Sequence, residues 1–80
     1  MGREHLLDVQ DLEPPEPLLR VLAATDALQS GEYLRVLIQR DPVMLYPLLE
    51  AQGFQYETGA GHTAVYEILI WRAGDNTPAR

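Results

Sequence analysis

Hydrophobic and polar positions alternate along Tyr33–Gln39, with Leu34, Val36 and Ile38 on one side and Tyr33, Arg35, Leu37 and Gln39 on the other. A period of two places successive side chains on opposite faces of an extended strand, and the spacing predicts strand two there. Upstream, His5-Leu6-Leu7-Asp8-Val9 is a short apolar run that stops before Asp11 and a proline cluster. It reads as strand one. Between the two, Leu18, Val21, Leu22, Thr25 and Leu28 recur at helical spacing, and Ala23, Ala24 and Ala27 favour helix, which predicts a helix over Leu18–Gln29. Glu13-Pro14-Pro15-Glu16-Pro17 precedes it. Proline is tolerated in a first helical turn, where N–H groups have no intrahelical partner, and acids there complement the helix dipole. The prolines therefore start this helix, and Ser30-Gly31 is expected to end it.

Asp41-Pro42 reads as an N-cap and N1 pair opening a second helix to about Gln52, closed by Gly53. Pro47 lies inside that span and removes a backbone donor, so either the first turn is irregular or the regular helix restarts near Tyr46. Phe54–Thr58 is expected as strand three, Gly59-Ala60-Gly61-His62 as a hairpin loop, and Thr63–Arg72 as strand four. Residues 1–72 would then form one domain and 73–80 a flexible C-terminal tail. The order is βαβαββ. Strands one and two should pair in parallel through a crossover, and strands three and four should form an antiparallel hairpin. The fold class expected is α+β: a two-layer sandwich with two helices on one face of a four-stranded mixed sheet.

Composition narrows the chemistry. The chain has 80 residues and no cysteine, which excludes a thiol nucleophile, a disulfide and a thiolate metal site. Its six basic residues are all arginine, so Schiff-base lysine chemistry and a Walker-type phosphate lysine are absent. His5 and His62 lie too far apart for a HxxH-type ligand pair, and Ser30, the only serine, sits in a turn sequence without triad context. These absences point to a noncatalytic chain, with no catalytic residue, metal site or cofactor expected. Six bases against 12 acids leave a net charge of −6, which opposes nonspecific binding to nucleic acid and to anionic membranes. No apolar run is long enough to span a bilayer, and the start of the chain lacks the apolar core of a secretory signal. The expected location is the cytoplasm.

With the elements in place, Leu7-Asp8-Val9-Gln10-Asp11-Leu12-Glu13-Pro14-Pro15-Glu16-Pro17-Leu18 resembles the opening of TusA/SirA-like sulfur-carrier domains. Those begin with a strand carrying Leu-Asp, then a turn and a Cys-Pro-x-Pro motif at the start of the first helix. They share the order βαβαββ, and Asp41-Pro42 is similar to their Asp-Pro before helix two. The resemblance covers about residues 4 to 72. Leu-Glu-Pro-Pro-Glu-Pro, Arg40-Asp41-Pro42 and Leu45-Tyr46-Pro47-Leu48-Leu49 more closely resemble an uncharacterised bacterial family of that fold, a domain of unknown function. On the Cys-Pro-x-Pro motif, Pro14 falls where the sulfur-carrying cysteine would stand, while Pro15 and Pro17 keep the two prolines. A persulfide needs a thiolate, so the relatives' sulfur relay does not carry over. Some members of the uncharacterised family have histidine where this chain has Arg40, so a metal role resting on that histidine does not carry over either.

Two surfaces follow as candidates. The first is the proline turn with its surroundings, Asp8, Glu13, Pro14, Pro15, Glu16, Pro17 and Arg40, as a ligand or partner site. Its plainer reading is a rigid helix start, with Asp8 tying down the neighbouring turn. The second is the uncovered sheet face. Strand four carries two apolar registers, Ala64, Tyr66, Ile68 and Ile70 on one side and Val65, Leu69 and Trp71 on the other. A sheet covered on one face needs only one of them. Tyr33, Arg35, Leu37, Leu69 and Trp71 thus suggest an open face that meets another protein or a second copy of the chain. Arg35 and Arg72, if side by side there, would form an anion-binding patch; the plainer reading pairs the arginines, Arg20 and Arg40 included, with nearby acids. The leading expectation is a protein-interaction module. Its rivals are a small-ligand or metal-ion binder in redox, sulfur or nitrogen-oxide metabolism, and an accessory sulfur-handling component whose partner supplies the cysteine.

Overall fold

The computed structural model describes residues 3–75. Six elements follow one another: β1 (Arg3–Asp8), α1 (Glu16–Asp26), β2 (Glu32–Ile38), α2 (Leu45–Ala51), β3 (Phe54–Ala60) and β4 (Tyr66–Arg72). The strands form one mixed sheet in the order β1-β2-β4-β3. β1 runs parallel to β2, from Arg3 opposite Glu32 to Asp8 opposite Leu37; β4 is antiparallel to both β2 and β3. A parallel pair cannot be closed by a tight turn, so α1 supplies the crossover. The expected βαβαββ sandwich is the observed one.

Both helices lie on one face. Val21 and Leu28 from the first helical segment and its exit, with Leu45 and Leu49 from α2, pack in one cluster with Leu34, Val36, Ile38, Phe54, Ile68 and Ile70. These sheet residues are the alternate positions of their strands, as the period of two requires. Thr25 is fully buried, and its hydroxyl donates to the Leu22 carbonyl at 2.9 Å, which satisfies the group that burial would otherwise leave unpaired.

Element ends depart from expectation for physical reasons. α1 stops at Asp26, not Gln29: the Gln29 N–H donates to the Glu32 carboxylate at 2.7 Å, and Gly31 takes the left-handed turn at φ +85. α2 begins at Leu45 rather than at Asp41-Pro42. Asp41 caps nothing; its Oδ1 accepts from the Tyr46 hydroxyl, while the backbone turns through Val43 N–H to Asp41 O and Leu45 N–H to Pro42 O. Pro47 then falls in the first turn, where its missing donor costs no helical bond. Gly53, at φ +84, closes α2 as expected.

The hairpin also shifts. Gly59 pairs with Glu67 and Ala60 with Tyr66, so the ladder runs through residues expected in the loop, and the loop is 61–65. A Cβ on Gly61 would lie 2.5 Å from the Ala64 carbonyl oxygen, so this tight return needs glycine. Ala64 and Val65 leave strand four as a result. The first residues of the expected tail are hydrogen-bonded to the rest of the chain. Ala73 N–H donates to the Gly53 carbonyl at 2.8 Å, and the Asp75 carboxylate accepts from Gly31 N–H at 2.9 Å and Ser30 Oγ at 3.2 Å. The rest of that tail, 76–80, lies outside the described residues.

Candidate functional site

Because β1 and β2 are parallel neighbours, their C-terminal ends finish side by side, with Asp8 opposite Leu37. The two chains that leave them, toward α1 and toward α2, therefore emerge together at one end of the sheet. Between them lies a groove of about 960 Å³, walled by Val9–Pro15, Pro17 and Leu18 on one side and Ile38–Leu45 on the other.

The groove gathers Glu13, Pro14, Pro15, Pro17 and Arg40 from the sequence-derived set. Asp8 and Glu16 are not in its walls. Asp8 is exposed and does the expected local work: its Oδ1 accepts from Gln10 N–H at 3.0 Å and from Gln10 Nε2 at 3.1 Å, fixing the turn that leads into the groove. Glu16 opens α1 and faces Arg20, one turn on, at 3.5 Å. The Pro14–Pro15 peptide is cis. Pro15 stands at the N-cap, with Pro17 in the first turn and no side-chain cap. The Glu16 N–H is already given to the Glu13 carbonyl at 2.9 Å. This helix start has few donors left for an anion.

Sequence reasoning missed the residues that make the groove apolar. Val43 and Met44 line it and are 66% and 79% exposed. The signal was available: Val43, Met44 and Leu45 are three consecutive apolar residues, more than one helical face can bury, and only Leu45 enters the core. Leu19 and Leu48, on the two helices that start beside the groove, are also exposed. The far wall is held by a network. Tyr46 bonds Asp41 at 2.6 Å and lies 2.7 Å from Thr58 Oγ1 in β3, while its ring stacks on Tyr56 with centroids 4.5 Å apart. Burial, and next the Asp41 carboxylate, push the Tyr46 phenol up to about 12. Tyr56 in turn donates to Glu50 at 2.5 Å, which raises its phenol too.

The uncovered sheet face is built as expected in register but not in exposure. Tyr33 opposes Trp71, Arg35 opposes Leu69 and Leu37 opposes Glu67. Leu37, Leu69 and Trp71 are buried, however, at 8%, 3% and 5% exposure, so no broad apolar patch is presented by them. Arg35 reaches from Glu4 on β1, at 2.8 Å, to Glu67 on β4, and Tyr33 also donates to Glu4 at 3.0 Å. The Arg35 guanidinium, the first cause, holds the Glu67 carboxyl below its ordinary range, and the two carboxylates raise Arg35 in return. Trp71 Nε1 donates to Gln55 Oε1 at 3.2 Å.

The arginine patch does not form. Arg72 points to the helix side, where Nε and Nη2 donate to the Leu28 carbonyl at 3.0 and 2.7 Å and the guanidinium lies 5.2 Å from the Phe54 ring centre. Arg20 lies on α1 beside Glu16, and Arg40 is exposed at the groove. His5 is in β1, with Nε2 3.0 Å from the Glu32 carboxylate; His62 is exposed in the hairpin loop. No group of three or more acidic or histidine side chains placed to hold a metal ion occurs among the described residues, and no helix of these residues is long and apolar enough to cross a membrane.

Known proteins add the family. No match is found among curated proteins. The chain is similar in structure to a SirA-like protein from Desulfitobacterium hafniense, whose crystal structure superposes with a TM-score of 0.69 at 26% sequence identity, covering 88% of this chain and 95% of that one. That likeness agrees with the βαβαββ order and the mixed sheet. A family model described as an uncharacterized conserved protein, DUF2249, matches residues 6–72, from within β1 to the end of β4, and the chain belongs to that family.

Proposed function

We propose that the chain is a noncatalytic protein-interaction module whose contact surface is the groove between the proline turn and the Arg40–Met44 loop. The observation that carries this reading is the exposure of Val43 and Met44 on the wall of a groove at the ends of two parallel strands. Isolated exposed apolar residues are ordinary, but two adjacent ones lining a concavity, with Leu19 and Leu48 exposed on the neighbouring helices, form the kind of surface that contact with another protein covers. The proline turn supports it. Pro14, Pro15 and Pro17 make a stiff wall, so little conformational freedom is lost when a partner docks. At the position where TusA/SirA-like relatives are expected to carry a reactive cysteine, this chain has Pro14, which offers surface and no nucleophile.

This reading moves the main contact from the open sheet face to the groove, because Leu37, Leu69 and Trp71 have little surface left to give. A small ligand is the competing occupant of a space of about 960 Å³. The test is native mass spectrometry of tagged protein taken gently from its own cells, alongside a Val43→Asp, Met44→Asp double variant. A second protein bound to the wild type and absent from the variant is the expected result. A small stoichiometric extra mass, a bare monomer, or a partner that the variant retains would each overturn it.

A further inference from the structure

We infer that the groove selects a cationic segment with apolar anchors, rich in arginine or lysine and carrying a leucine- or methionine-sized side chain; this rests on the groove being the interaction surface. The argument is charge complementarity on an apolar floor. The groove walls carry Asp11, Glu13 and Asp41 against Arg40. Among the described residues, the carboxylate of neither Asp11 nor Glu13 has a hydrogen-bond or ion-pair partner, and both residues are exposed. Asp41 spends one oxygen on Tyr46 and lies at the surface. Two uncommitted carboxylates and a third half-committed one thus border Val43, Met44, Leu12 and the prolines.

The same geometry disfavours other occupants. An anionic group would need free N–H donors at the start of α1. There the prolines have removed two of them, Glu16 N–H is bonded to Glu13 and Leu19 N–H to Pro15. A second copy of the chain would bring another net charge of −6 toward an already acidic rim. A basic segment meets attraction from both the rim and the whole molecule, which also speeds its encounter. Its apolar side chain covers Val43 and Met44, and its cations stand against Asp11 and Glu13. Methionine suits this role because its flexible, polarizable side chain adapts to varied anchors.

The experiment is affinity selection of the full chain against a displayed random-peptide library, followed by fluorescence binding of the enriched peptides. Three proteins are compared: wild type, Val43→Asp with Met44→Asp, and Asp11→Asn with Glu13→Gln. Enriched peptides should be basic with at least one large aliphatic residue. Their affinity should fall as salt is raised, vanish in the Val43/Met44 variant, and drop roughly fivefold in the Asp11/Glu13 variant, since each exposed pair contributes a few-fold. Urea melts of the variants confirm that they remain folded. Enriched peptides that are neutral or acidic but still lost in the Val43/Met44 variant would overturn the charge inference and leave the groove as a binding site. Basic peptides unaffected by the Asp11/Glu13 change would overturn it as well. Enriched peptides indifferent to the Val43/Met44 change would overturn both.

Discussion

The Tyr46 hydroxyl stands between Asp41 and Thr58, donating to the first at 2.6 Å and lying 2.7 Å from the hydroxyl of the second. One side chain from the first turn of α2 thereby ties the loop wall of the groove to strand β3. Asp41 stands three residues before Met44, the N-cap position of α2, and its carboxylate meets the phenol rather than the helix N–H groups.

Tyr46→Phe should therefore loosen the groove before it threatens the fold. The ring and its stacking on Tyr56 remain, while the Asp41 and Thr58 bonds go. A cost of about 1–2 kcal/mol in urea unfolding is expected. Hydrogen exchange should rise across residues 41–45 more than across β4. Unchanged exchange in that loop would show that Tyr46 does not hold it.

The same phenol sets an alkaline limit. Its native value is pushed up to about 12 against an ordinary value near 10, and Tyr56 is raised by its bond to Glu50. A raised value means that the unfolded chain loses the proton first. The stability is fully present below the ordinary phenol range and is lost as pH climbs through the native value. With no lysine in the chain and arginine not titrating, that limb belongs to tyrosine. Melting temperature should fall between about pH 10 and 12, and Tyr46→Phe should flatten part of the fall. An unaltered slope in the variant would place the effect elsewhere.

At acid pH the open-face network takes over. Arg35 holds Glu67 below its ordinary range, and His5 does the same to Glu32 as its largest cause. A lowered carboxyl value gives stability that is present above the unfolded value and lost as pH falls through the native one. Arg35→Gln should remove the Glu67 share, so the variant's melting temperature should change less than the wild type's between about pH 5 and 2. Because both carboxylates are partly solvated, the difference should be small and should shrink in salt. Parallel acid curves for the two proteins would contradict the assignment.

Arg72 shows where sequence reasoning had the information and lost it. If Trp71 faces away from the helices, alternation puts Arg72 with Ile70 and Ile68 on the helix side, where it binds the Leu28 carbonyl. Grouping Arg72 with Arg35 by charge overrode that parity. The element order was legible because alternation in 33–39 and the proline and glycine punctuation each have a local cause. The start of α2 was legible in part, since Pro47 fits only a first turn. Other features depend on partners distant in sequence: Gly59 and Ala60 join a ladder because Glu67 and Tyr66 lie opposite, and Asp75 binds the turn at Ser30 and Gly31. In the candidate site, the proline turn and Arg40 were found by motif. Val43 and Met44 were not, because a helix was assumed to bury them.

Arg72→Met should destabilise by about 1–3 kcal/mol, since it leaves the carbonyl of buried Leu28 without its two charged donors and removes the cation from Phe54. Arg72→Lys should recover part of that loss but not all, because one ammonium cannot reproduce the paired Nε and Nη2 geometry. Urea midpoints ordered wild type, lysine, methionine are expected. Equal midpoints for all three would mean that solvent satisfies Leu28 as well as arginine does.

Trp71 is the sharpest separation between the two surfaces. Were the uncovered sheet face a docking patch, Trp71→Ala would weaken partner binding and spare the fold. Trp71 is 5% exposed, set across from Tyr33 and Gln55 and bonded to Gln55 through its indole N–H. Truncating a buried tryptophan leaves a cavity as well as losing transfer free energy, so Trp71→Ala should cost about 3–5 kcal/mol, a large share of the stability of an 80-residue chain. Trp71→Phe keeps most of the apolar contact and forfeits the hydrogen bond to an exposed glutamine, so it should cost much less and leave groove binding unchanged. Urea unfolding and peptide binding measured on both variants decide the matter. A Trp71→Ala protein as stable as the wild type but unable to bind would return the contact to the sheet face. A destabilised Trp71→Ala protein beside a stable, binding-competent Trp71→Phe protein would leave Trp71 to the fold and the contact to the groove.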